Sequence, residues 1–135
     1  MIKRVPTRNV DKSAAINYLR KAQQFSRAML ESLDNGDWDA AGLNAVHCAI
    51  SASDAVLVFT QGLRSASSKH DDSAMLLESM VKAPGTKNAV SQLKRLVAKK
   101  NLIEYEERMF RESEARDAVK NASRLLAWAE TVLGI

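Results

Sequence analysis

The chain has 135 residues, 46% of them apolar, and carries a formal net charge of +4 with a pI near 9.4. A single domain of this length buries enough surface to fold without disulfides or metals. One cysteine, Cys48, excludes an internal disulfide, and with two histidines it offers too few ligands for a structural zinc site. Two Trp, two Tyr and three Phe are too few for a base-stacking sheet of RRM or OB type.

Alanine and leucine dominate while glycine and proline are scarce, so the chain reads as all-α. Residues 1–10 read as a loose basic arm, and residues 11–135 as one helical domain. Asp11 or Ser13 can cap a first helix to about Leu33, with Ala15, Leu19, Ala22, Phe25, Met29 and Leu33 in one stripe. Asp34-Asn35-Gly36 ends it. A second helix runs from Asp37 to about Leu63 and is small or apolar nearly all round, which marks a central helix; Cys48 lies in it as a small buried hydrophobe. Ser68 can cap a short third helix carrying Met75, Leu76 and Met80, which stops at Ala83-Pro84-Gly85.

Thr86 can cap a fourth helix to about Lys100, with Val90, Leu93, Leu96 and Val97 inward. NLIEYEERMFRE breaks the pattern with charge. Ser113 then caps a last helix with Ala115, Ala118, Val119, Ala122, Leu125, Leu126 and Val132 inward, and Gly134 ends it. No strand alternation is visible. Four main helices and one short one, joined by short loops, predict an antiparallel up-and-down four-helix bundle. The N-terminus has no apolar stretch of signal-peptide type, and no run approaches the ~18 uninterrupted apolar residues of a membrane span. The expected location is the cytoplasm, with no membrane partner.

Three constellations carry chemistry. On the second helix Asn44, His47, Ser51 and Asp54 fall three, four and three residues apart, on one face of an otherwise apolar helix. A buried carboxylate such as Asp54 needs a basic partner. In RSASSKH, Arg64 and His70 flank a tight helical corner, with Ser68 between them. Arg can hold a phosphate bidentately and a neutral His can accept a proton, a pairing suited to attack of a ribose 2′-hydroxyl on the adjacent phosphate. Spacing alone is weak evidence for such a site, and composition alone favours a solvated loop. The fourth helix turns Lys94, Arg95 and Lys99 outward, a face that either is simply solvated or tracks a nucleic-acid backbone. The pattern holds no metal site and implies no cofactor.

The blocks YLRKAQQFSRAMLESLDNGDWDAAGLNAVHCAISASDAVLVF, GLRSASSKHDDSAMLL and LKRLVAKKNLIEYEERMFRESEARDAVKNASRLLAWAETVL resemble the HEPN superfamily of small helical proteins, over about residues 11–133. The middle block resembles a bacterial subgroup predicted to be ribonucleases. The resemblance implies a helical homodimer in which an Arg-x5-His motif, Arg64 and His70, works as a metal-independent endoribonuclease across the dimer interface, on an RNA substrate. It implies a supporting acidic residue, here Asp54, and use as a toxin or defence effector with a nucleotidyltransferase-like antitoxin. Asn44, His47, Ser51 and Ser68 would support the site, and Lys94, Arg95 and Lys99 would guide RNA. The chain has Ser65 after the Arg, where many active members have Asn, Asp or His, and Asp72 two positions after the His, where many have Tyr. Inactive members that only dimerise or bind partners or nucleotides also exist, so a non-catalytic module is the alternative.

Overall fold

The computed structural model describes residues 5–67, 69 and 71–135. A 3-10 turn over Lys12–Ala14 leads into α1 (Ala15–Asp34); α2 (Trp38–Gln61), α3 (Asp71–Met80), α4 (Thr86–Tyr105) and α5 (Glu112–Leu133) follow. The expected all-α class therefore holds, with one small addition. Thr7–Asn9 (β1) pairs antiparallel with Leu63–Ser65 (β2), in the register Thr7↔Ser65, Arg8↔Arg64 and Asn9↔Leu63. Neither strand shows alternation, because each is only three residues long and is fixed by its partner rather than by a buried face. Val10 N–H donates to the Gly62 carbonyl and Ala66 N–H to the Pro6 carbonyl, which extends the pairing at both ends. Part of the segment read as a loose arm is thus a strand.

α2 is the central element. It packs against α1, α3, α4 and α5, and its residues from Ala45 to Val58 are almost all buried. By length and composition it could cross a membrane, but 72% of its apolar window is buried inside the fold, as in a core helix. Burial pushes the Cys48 thiol up to about 12, so it stays protonated. The stripe expected on α1 faces inward: Ala15, Leu19, Ala22 and Met29 are buried, and Phe25 and Leu33 pack against them. On α3 the inward residues are Ala74, Leu76 and Leu77, while Met75 and Met80 are half-buried.

The helix ends differ from expectation in four places. Asp11 does cap, but it caps the 3-10 turn, accepting the Ser13 N–H. α4 follows Gly85, whose φ of +85° starts the helix, and Thr86 instead donates its hydroxyl to the Ala83 carbonyl. α4 also runs one turn past Lys100, to Tyr105. α5 starts at Glu112, so Ser113 is inside it; the Glu114 carboxylate accepts the Arg111 N–H in the manner of half a capping box. The charged connector between α4 and α5 is tied down at Phe110, whose N–H donates to Asp39 and whose ring lies against Gly42, 2.6 Å from where a Cβ would stand.

Candidate functional site

Asp54 lies in the last third of α2, on the side facing the strand pair. Gly62 ends that helix in the left-handed conformation (φ +66°), which turns the chain at once into β2 and carries Arg64 back over α2. Arg64 Nη2 then sits 3.2 Å from Asp54 Oδ2. The Asp54 side chain is 4% exposed and that of Arg64 33%, so the carboxylate is the buried anchor and the guanidinium the accessible partner. Among the described residues Asp54 Oδ1 and Arg64 Nε have no hydrogen-bond partner. Burial raises the Asp54 carboxyl to about 6 against the opposing pull of Arg64, Lys21 and Arg8.

Three further residues complete this cluster, and sequence reasoning missed all of them. Tyr18 on α1 receives two cations on its ring, Arg64 at 5.3 Å and Lys21 at 5.4 Å. Arg8 lies opposite Arg64 in the strand pair, and the alternation set by the flanking bonds makes them a hydrogen-bonded pair, with Cα atoms about 5.5 Å apart. Side chains opposite one another share a face, so two like charges meet there, an arrangement that is unfavourable without a counter-ion. Three cations thus surround one carboxylate, whose proton burial makes harder to lose. The cluster has an excess of positive charge and can hold an anion such as a phosphate. The basic character of residues 3–8 was visible in the sequence, but its pairing with Arg64 was not.

The expected site residues divide. Asp54 and Arg64 come together. His70 and Ser68 lie outside the described residues. Asn44 and His47 do not reach Asp54: they lie about 15 and 10 Å away, respectively, along α2 at the helical rise of ~1.5 Å per residue. Asn44 donates to the Ala40 carbonyl of its own helix. His47 is half-buried against the Phe25 ring, with centroids 5.3 Å apart, and burial followed by the charge of Lys100 lowers its pKa. Ser51 is half-buried between them. On α4, Lys94 pairs with Glu78 at 3.0 Å, Lys99 lies within electrostatic range of Glu114 and Arg95 is exposed, so the three cations do not form one free track. Among the described residues no three His, Cys, Asp or Glu side chains cluster as metal ligands.

A second feature adjoins the same loop. Lys69 and Asp71, the neighbours of residue 70, form one wall of a groove of about 400 Å³ whose other wall is α4, with Val97, Lys100, Asn101 and Tyr105. A larger groove of about 720 Å³ runs between α3 and α4.

Comparison with known proteins gives one family. A family model described as the HEPN domain matches residues 15–132. No curated protein matches the chain.

Proposed function

The chain belongs to the HEPN domain family, and on that premise we propose that it is a metal-independent endoribonuclease working through Arg64 and His70. The observation that carries this reading is the Asp54–Arg64 pair. A buried carboxylate fixes a guanidinium that keeps a third of its surface open, with two more cations beside it. In this reading Arg64 binds the scissile phosphodiester and stabilises the charge that builds on its oxygens. His70, six residues on, takes the proton of the adjacent 2′-hydroxyl or returns one to the 5′-oxygen that leaves. The new 2′-O–P bond and the broken P–O5′ bond give a 2′,3′-cyclic phosphate and a 5′-hydroxyl. Asp54 does not touch the substrate; it positions Arg64. Arg8 and Lys21 neutralise the phosphate charge.

The same reading takes α1, α2, α4 and α5 as an antiparallel up-and-down bundle with α3 as the additional short helix. Two copies join so that their Arg-x5-His motifs meet. The protein acts as a toxin or defence effector in the cytoplasm, held in check by a nucleotidyltransferase-like antitoxin.

The test is RNA cleavage in the presence of a chelator by wild type, Arg64→Ala and His70→Ala proteins of equal helicity and mass. Cleavage by wild type alone is expected. Equal cleavage by all three contradicts the assignment of these residues. The alternative is a non-catalytic dimerisation or partner-binding module, favoured by the exposed Met109 and Tyr105 near the end of α4. It predicts that wild type binds a partner but never cuts RNA.

A further inference from the structure

We infer that the groove between Lys69–Asp71 and α4 holds one nucleotide of a single-stranded RNA, with its base stacked on Tyr105. This deepens the ribonuclease reading and rests on it for the identity of the ligand.

Position is the first argument. Lys69 and Asp71 are the sequence neighbours of residue 70 of the Arg-x5-His motif, and both line one wall of the groove. Five residues of extended chain span at most about 18 Å, so Lys69 lies within that distance of Arg64, Cα to Cα. A strand whose phosphate sits at Arg64 therefore has its neighbouring nucleotides within reach of the groove.

Chemistry is the second. Tyr105 is 78% exposed although it ends a helix whose other large apolar residues face inward. An open aromatic ring beside a cation is what a nucleobase stacks on, and a single ring suffices for one base without a stacking sheet. Asn101, one turn before Tyr105, has both a donor and an acceptor for a base edge, and Asp71 adds an acceptor. Lys69 is exposed and supplies positive charge, while the Lys100 ammonium is held by Glu104 at 2.7 Å and braces that wall. Val97 gives the groove an apolar contribution. Its volume of about 400 Å³ lies at the small end of ligand sites, which suits one nucleotide. The larger groove between α3 and α4 is a weaker fit: its rim Lys94 is already paired with Glu78, and it does not include the motif loop.

The experiment measures binding apart from cleavage. Fluorescence anisotropy of a short labelled oligoadenylate is followed on full-length His70→Ala protein, alone and combined with Tyr105→Ala, Tyr105→Phe or Lys69→Ala, with helicity and mass checked for each. Tyr105→Ala should weaken binding about tenfold, Tyr105→Phe should keep it, and Lys69→Ala should weaken it with a shallower salt dependence. RNA binding unchanged in Tyr105→Ala overturns the groove even if wild type cleaves RNA. RNA binding that depends on Tyr105 in a protein that never cleaves keeps the groove and removes the ribonuclease reading. No RNA binding by the His70→Ala parent overturns the groove. A Tyr105→Ala protein that changes assembly mass marks this face as a subunit contact and also overturns it.

Discussion

A carboxyl group that is almost fully buried loses more from desolvation than one guanidinium returns at 3.2 Å, which is why Asp54 holds its proton up to about pH 6. The consequence for stability has a definite sign. The unfolded chain releases this proton near its ordinary value of 3.8, the folded chain near 6. Between those values the folded state binds the extra proton, so the Asp54 contribution to stability falls as pH rises. A rise from 3.8 to about 6 corresponds to roughly 3 kcal/mol. Asp54→Asn removes that titration. Relative to wild type, the variant should therefore be more stable at pH 8 than at pH 4 by about that amount in urea unfolding. A difference that is flat with pH would show that Asp54 titrates alike in both states, and one that grows in the acid direction that folding lowers its pKa; either contradicts the raised value. The need of Asp54 for a basic partner was legible in the sequence, because a lone carboxylate on an apolar helix has few other fates. Tyr18, Lys21 and Arg8 were not, since their proximity depends on how α1 and the N-terminal strand lie against α2.

At the scale of elements, the site depends on a strand pair of only three residues each. Gly62 turns the chain out of α2, and β1 then holds β2 in place through the Arg8–Arg64 pairing and the flanking bonds of Val10 and Ala66. Val10→Pro removes the N–H that donates to Gly62. Hydrogen exchange should then speed up at the Arg64 amide while the amides of α5 keep their protection. Unchanged exchange at Arg64 would mean that β1 is not what holds it. The helices themselves were readable because their apolar residues recur every three or four positions, and the inward residues of α1, α4 and α5 are those the spacing selects. Their ends were less so. Thr86 and Ser113 are good capping types, but Gly85 with positive φ begins α4, and Arg111, with its N–H bound by Glu114, precedes α5. Strand β1 gave no signal at all, because it buries no face of its own.

At the scale of the whole molecule, one buried helix is wrapped by the others, and the charged groups of interest gather where α2 ends and its connector leaves. A single copy offers one Arg-x5-His motif; the proposed function uses two. Sedimentation should accordingly give a particle of twice the chain's 14.9 kDa mass at concentrations where RNA is cleaved. A monomer that cleaves at full rate would separate the activity from pairing.

The most direct measurement is the chemistry of the cut ends. RNA is incubated with wild-type protein in excess chelator and the products are analysed by mass spectrometry. The account predicts a 2′,3′-cyclic phosphate on one fragment and a 5′-hydroxyl on the other, both lost in Arg64→Ala and His70→Ala. A 3′-hydroxyl with a 5′-phosphate, or cleavage that chelator abolishes, would contradict it.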